Sequence, residues 1–254
     1  MKSLKVSTLK TALFAVLSTS LTLAFNTNVQ AEDAASTNAP TPWVSSAAAG
    51  VTLTRGNSHT FLGTLNLQTE RKNKVDEYLF GADVSYGDNQ GVTTTETYHG
   101  FGQYNRFASG NLYYGVRLDG LRDGIAAIRY RLTLAPLVGY YLIKNTNDTL
   151  SVEAGPGFVY QDLLGVKHGF VTLRLGERYE HKFSDRAKLW QSFEILPQVD
   201  KFENYYVNAE IGLESSLTKR TSLRTYLQDT YYHIPAAGRQ KNDLKLVAAI
   251  AYKF

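Results

Sequence analysis

The chain has no cysteine in its 254 residues. Its fold therefore has no disulfide framework and no thiolate metal site. Long apolar runs are also missing. From Glu32 onward nothing approaches the roughly 18 consecutive apolar residues a membrane helix needs. The longest candidate, 132–143, is broken by Thr133, Pro136 and Gly139. If this part of the chain spans a membrane, it must do so as a closed barrel, because lipid leaves no other way to satisfy backbone polar groups. A strong charge of one sign is absent too. Residues 1–31 carry three of the 27 Lys and Arg and none of the 23 Asp and Glu, leaving 24 against 23. The basicity belongs largely to the N-terminus and gives no argument for a nucleic-acid partner. Aromatics, by contrast, are plentiful, with 17 Tyr and 12 Phe.

The N-terminus reads as a secretory signal peptide over residues 1–31. Lys2, Lys5 and Lys10 precede a mostly apolar stretch, Thr11 to Phe25. Val29-Gln30-Ala31 is a small-x-small cleavage site, placing the cut between Ala31 and Glu32. A retained membrane anchor is the competing reading, and the short apolar run counts against it. Residues 32–43 have no apolar periodicity and are expected to form a flexible periplasmic lead-in.

From residue 44 to 254 the chain alternates with a period of two, broken by turn signals at regular intervals. These 211 residues divide into twelve strands at about 18 residues per strand and turn. The predicted strands are 44–55, 58–71, 75–87, 93–107, 111–120, 126–143, 149–161, 169–183, 187–198, 204–217, 220–233 and 242–254. The last shows the pattern best. Leu244, Leu246, Ala248, Ile250, Tyr252 and Phe254 share one face, opposite Lys245, Val247, Ala249, Ala251 and Lys253. In the sixth, Ile128, Tyr130, Leu132 and Leu134 oppose Arg129, Arg131, Thr133 and Ala135. The fourth, ninth and eleventh are ambiguous in phase. Glu177 falls on the apolar face of the eighth, which predicts a bulge near Gly176.

Every second connection is short and polar, such as Lys72-Asn73-Lys74 and Ser184-Asp185-Arg186. The other set includes longer ones at 88–92 and 234–242, with the tight Arg55-Gly56-Asn57-Ser58 an exception. This asymmetry is that of an outer-membrane barrel with both termini on the periplasmic, short-turn side. The predicted fold is all-β: a transmembrane antiparallel barrel of about twelve strands. A soluble periplasmic sandwich or lipocalin-like barrel has compatible strand spacing and differs in which face points outward. Tyr252 and Phe254 close the final strand on an aromatic, resembling the recognition signal of proteins assembled into bacterial outer membranes.

Five stretches carry a more particular resemblance. They are Ala48 to Ser58 (AAGVTLTRGNS), Ala135 to Leu142 (APLVGYYL), Glu153 to Gly157 (EAGPG), Gly176 to Phe183 (GERYEHKF) and Tyr252-Lys253-Phe254. Together they resemble the salt-induced (YdiY-like) outer membrane proteins, a domain family of unknown function. The resemblance covers nearly all of the chain beyond the signal peptide, and the Arg-Gly-Asn-Ser turn is its most specific piece. It implies an outer-membrane β-barrel in a Gram-negative envelope and no enzyme chemistry. It supplies no catalytic or binding residues to carry over.

If the apolar faces meet lipid, the opposite faces line a lumen. The candidate lumen charges are Arg117, Asp119, Arg129, Arg131, Glu153, Glu210 and Glu214, with Arg174, Arg178, Glu180 and Arg224 as further candidates. On the lipid side each Arg or Lys at the midplane would cost about 2–4 kcal/mol. These charges fit an internal salt-bridge network that props or plugs the barrel. They also fit a permeation path whose arginines attract small anionic solutes. An outer-membrane hydrolase acting on lipids or esters is the reading from another class. It lacks sequence support: His59, His99, His168, His181 and His233 form neither H-E-x-x-H nor G-x-S-x-G, and no metal spacing. Asp119 and Asp123 flank a loop and could meet a cation, but two carboxylates are few for such a site, and a polar turn is the reading kept. Gly155-Pro156-Gly157 precedes no helix, so it is read as strand bending or close packing rather than a phosphate loop.

The expectation is a barrel that is not an enzyme and needs no cofactor. Its expected partners are outer-membrane lipid and, through the C-terminal strand, the barrel assembly machinery, with no nucleic acid. The physiological reading is a narrow channel for small solutes or an envelope-stabilising protein under salt or osmotic stress. Oligomeric state is not legible in the sequence.

Overall fold

The computed structural model describes residues 41–54 and 60–254. The expected signal peptide with its expected Ala31–Glu32 junction, the expected lead-in up to residue 40, and the Arg55-Gly56-Asn57-Ser58 turn lie outside the described residues. Twelve strands are present among the rest: β1 (Val44–Thr54), β2 (Thr60–Lys72), β3 (Asp76–Asn89), β4 (Val92–Phe107), β5 (Leu112–Asp123), β6 (Ile128–Lys144), β7 (Asp148–Leu163), β8 (Val166–Ser184), β9 (Ala187–Gln198), β10 (Lys201–Ser216), β11 (Thr221–Tyr232) and β12 (Asn242–Lys253).

Each strand pairs antiparallel with its sequence neighbours, and β12 closes on β1. Closure leaves no open sheet edge, which is the condition for a sheet in lipid. The closing seam is short. It pairs five positions, from Ser46–Lys253 to Gly50–Ala249. Gly50 is needed there because a Cβ would lie 2.6 Å from the Ala248 carbonyl oxygen. Ala48, Val247, Ala249 and Ala251 pack behind the seam, with Tyr226 against them.

Side-chain exposure decides which face points out. On β12, Leu244, Leu246 and Ile250 are 59%, 60% and 49% exposed, whereas Val247, Ala249 and Ala251 are 3%, 4% and 2% exposed. On β6, Leu132, Leu134, Val138 and Leu142 are exposed while Arg131 and Thr133 are buried. The apolar face is the outer one all around the barrel, the inverse of a soluble sandwich. Aromatic rows mark both ends of this belt. At the end holding the chain terminus, Trp43 meets Tyr78 at 6.1 Å and Tyr78 meets Tyr104 at 5.0 Å. At the distal end, Tyr130 meets Tyr160 and Tyr205 meets Tyr231, each at 6.0 Å. On β6, Tyr130 and Tyr140 stand ten residues apart. At ~3.3 Å per residue and ~40° tilt, that spacing is about 25 Å along the barrel axis, the height of an outer-membrane apolar band.

Several local expectations are corrected. Residues 88–92 form no long loop. Gln90 (φ 54°) and Gly91 (φ 81°) make a two-residue turn, and Leu164 (φ 54°) with Gly165 (φ 84°) makes another. Both central residues at positive φ match the twist of a tight hairpin. Among the described connections at the distal end, only 233–241 is long. No bulge occurs near Gly176, where the register runs through Glu153–Gly176 and Gly176–Glu194. Glu177 stays outward and accepts a hydrogen bond from Gln191 Nε2 at 3.1 Å, so no bulge is needed to hide it. The β8–β9 register breaks instead between Lys182 and Ser184. A second irregularity lies between Ile128 and Tyr130 on β6. It turns Ile128 away from the lipid face, where it is buried.

Candidate functional site

The inward faces of the strands build a polar interior. A hydrogen-bonded chain of eight side chains runs through six strands. His99 Nδ1 on β4 lies 2.8 Å from Asp83 Oδ1 on β3, and its Nε2 lies 3.4 Å from Asp119 Oδ1 on β5. Arg117 grips Asp119 with two nitrogens, Nη2 at 2.7 Å from Oδ1 and Nε at 2.9 Å from Oδ2. Its Nη1 donates to Gln103 Oε1 at 3.1 Å. Gln103 Nε2 donates to Glu153 Oε1 on β7 at 2.8 Å. Arg174 on β8 donates from Nη1 to Glu153 Oε2 at 2.8 Å and from Nε to Glu194 Oε1 on β9. Glu153 also accepts from Tyr113 Oη at 3.0 Å.

Alternation explains why these residues meet. Every second residue of a strand points inward, and the antiparallel register sets Gln103 opposite Arg117 and Gly176 between Glu153 and Glu194. The glycine leaves room for Arg174, whose guanidinium lies within 3.5–3.8 Å of where a Cβ on Gly176 would stand. Gly155 is required for a different reason. A Cβ there would run into the backbone carbonyl oxygen of Pro136.

The terminal end of the lumen is narrowed by a packed group. Tyr113, Leu137 and Tyr141 are buried with Phe107 against them. Lys72 Nζ donates to Tyr141 Oη at 2.6 Å, forms an ion pair with Glu77, and lies 5.4 Å from the Phe107 ring centroid. Elsewhere Arg224 pairs with Glu214 at 3.0 Å, and Trp190 Nε1 donates to Glu210 Oε1 at 2.6 Å. Between these groups lies a cavity of about 600 Å³, lined by side chains from every strand except β1. Arg178 lines it, exposed, with no carboxylate within 4.0 Å among the described residues.

The residues singled out from the sequence are placed as follows. Arg117, Asp119, Arg131, Glu153, Glu210 and Glu214 face the interior, together with Arg174, Arg178, Glu180 and Arg224. Arg129 does not join them. It sits at the β6 irregularity on the distal rim with its side chain 73% exposed, 4.0 Å from Asp162. Asp123 is occupied at its own turn, where Asp123 Oδ1 accepts from Ala126 N at 2.7 Å. Sequence reading missed Lys72, Glu77, His99, Gln103 and Glu194. His99, Gln103 and Glu194 lie on the strands whose phase was ambiguous. Gln103 carries no charge, so a search for charges passes over it. Among the described residues no three His, Asp or Glu side chains are grouped to hold a metal ion. The described histidines hydrogen-bond with Asp83, Asp119, Gln161, Asp148 and Tyr231, and none bonds a serine or threonine hydroxyl.

Residues 47–254 match a family model described as a protein of unknown function, DUF481. No curated protein matches the sequence. Among solved structures, the chain is similar to the NanC porin, with a TM-score of 0.53 and 8% identity over 83% of this chain and 100% of that one. It is similar also to an outer membrane channel from Pseudomonas putida F1, with a TM-score of 0.52 and 9% identity over 89% of this chain and 100% of that one. At these identities the likeness is one of fold: a closed antiparallel barrel of the kind built by outer-membrane porins and channels.

Proposed function

The chain belongs to the DUF481 family of proteins of unknown function, and on that premise we propose that it is a narrow outer-membrane channel for small polar solutes. One observation carries the reading. The cavity of about 600 Å³ is lined by polar and charged side chains from β2 through β12, with Arg178 facing it unpaired. A lumen that served only as a packed support would be filled by its side chains and leave no such volume. In this reading the exposed apolar belt meets lipid, and the chain terminus lies on the periplasmic side after signal-peptide removal. Phe254 and Tyr252 serve in assembly. The resemblance to salt-induced outer membrane proteins adds a role under salt or osmotic stress.

An envelope-stabilising barrel without transport is the second reading. The eight-residue chain from Asp83 to Glu194 favours it, because such a network ties six strands together. Single-channel recording of the refolded protein in a planar bilayer separates the two. Discrete conductance steps are expected from a channel. Silence at every voltage sinks the channel and leaves the support. A hydrolase is set aside because no described histidine hydrogen-bonds a serine or threonine hydroxyl. Turnover of a lipid or ester substrate by purified protein, abolished by a single His or Ser substitution, would reverse that judgement.

A further inference from the structure

The buried arginines of this barrel are not alike. Arg117, Arg174 and Arg224 each hold a carboxylate at 2.7–3.0 Å. Arg131 is as buried, 7% exposed, yet has no carboxylate within 4.0 Å among the described residues. Its Nε donates to Gln161 Oε1 at 2.7 Å, and its guanidinium lies over the rings of Tyr206 at 4.7 Å and Tyr232 at 5.3 Å. The Nη1 atom is buried without a hydrogen-bond partner. Ring stacking attracts the cation through its face and leaves the in-plane Nη1 unanswered. A guanidinium left so is costly, and a carboxylate is the group whose two oxygens match its fork.

Arg131 lines a second cavity of about 220 Å³ at the distal end. The 233–241 connection covers it. His233 N donates to Tyr205 O at 3.0 Å, and Ala236 is buried. Arg239 of the same connection lines the cavity and brings a second cation to the mouth. Gln161 Nε2 is 3.0 Å from His168 Nε2. Gln161 Oε1 is already taken by Arg131 Nε, so its amide donates and His168 Nε2 accepts. The ring proton then sits on Nδ1, free to donate. Apart from Asn204 and Gln240, the remaining walls are apolar or aromatic, including Ile128, Leu163 and Phe170. An apolar cavity of roughly 150 Å³ holds a benzene, so this one has room for a single ring bearing a carboxylate.

We propose that this distal cavity is a binding site for a small organic carboxylate with a ring-sized apolar body. Arg131 takes the carboxylate, Tyr206 and Tyr232 hold the guanidinium in place, and the 233–241 connection forms the lid. The proposal deepens the channel reading by naming a solute class, and it rests on that reading for its role.

The test is isothermal titration of the refolded barrel in detergent with sodium benzoate, against benzamide as the neutral isostere. Saturable binding of benzoate, at least tenfold tighter than benzamide, is expected. Arg131→Gln should abolish it, and Ala236→Trp, which fills the cavity from the covering connection, should do the same if the arginine variant fails to fold. Equal binding of benzoate and benzamide overturns the proposal. So does unchanged benzoate binding in either folded variant, or tighter binding of inorganic phosphate than of benzoate. Conductance is recorded on the same preparation. Benzoate binding without conductance keeps the site and removes the channel, and conductance without benzoate binding removes the site alone.

Discussion

Lys245 on β12 reaches across the lumen to β4, where its Nζ lies 3.3 Å from Thr97 Oγ1. The two residues are 148 apart in sequence, and β1, β2 and β3 lie between their strands. A contact between strands so far apart around the barrel crosses the interior and narrows it. Lys245→Ala should therefore raise single-channel conductance while leaving the outer belt untouched. Conductance equal to wild type would show that the contact does not limit passage.

Glu153 accepts from Gln103, Tyr113 and Arg174 together. Removing one side of a buried pair leaves the other uncompensated, at about 3–5 kcal/mol. Arg174 keeps Glu194, so Glu153→Gln is expected at the lower end of that range, read from urea unfolding in liposomes. Adding Arg174→Met should cost less than the sum of the single changes, since both belong to one network. Strict additivity would mean the chain of contacts does not act as a unit.

Leu134 stands between Tyr130 and Tyr140, near the middle of the outer face of β6. Leu134→Arg should destabilise the folded barrel by about 2–4 kcal/mol in a bilayer, the cost of a cation at the midplane. The same substitution should be far milder in detergent with a loose polar boundary. An unchanged folding equilibrium in liposomes would undo the assignment of this face to lipid.

Gly155→Ala places a methyl against the Pro136 carbonyl, a backbone atom that cannot swing aside. Overpacking of this kind costs about 1–3 kcal/mol. A shift of the β6–β7 pairing or a loss of folded yield, followed by heat-modifiable gel mobility, is the expected outcome. Wild-type yield and mobility would show that these strands slide freely.

Phe254 N donates to Ser45 O at 3.0 Å, beyond the last paired position of the seam, and its ring stacks on Tyr252 with centroids 6.5 Å apart. Phe254→Ala keeps the backbone bond and removes the ring. Membrane yield should fall while export and signal cleavage continue. Unchanged yield would assign the terminal aromatic no part in assembly.

The sequence by itself determined the number and order of strands, because period-two alternation and turn residues are local properties that survive without knowledge of any neighbour. It determined the outer face of β12 as well, since Leu244, Leu246 and Ile250 repeat in one phase. Other features were decided only by the tertiary structure. Arg129 and Ile128 exchanged expectations because one register irregularity on β6 resets every residue beyond it, and no local pattern marks it. His99, Gln103 and Glu194 became visible once pairing fixed the phase of β4 and β9. The distinction between Arg131 and Arg174 is wholly one of contact. Both are inward arginines on alternating strands, but only the closed barrel brings Glu153 and Glu194 to one and two tyrosines to the other.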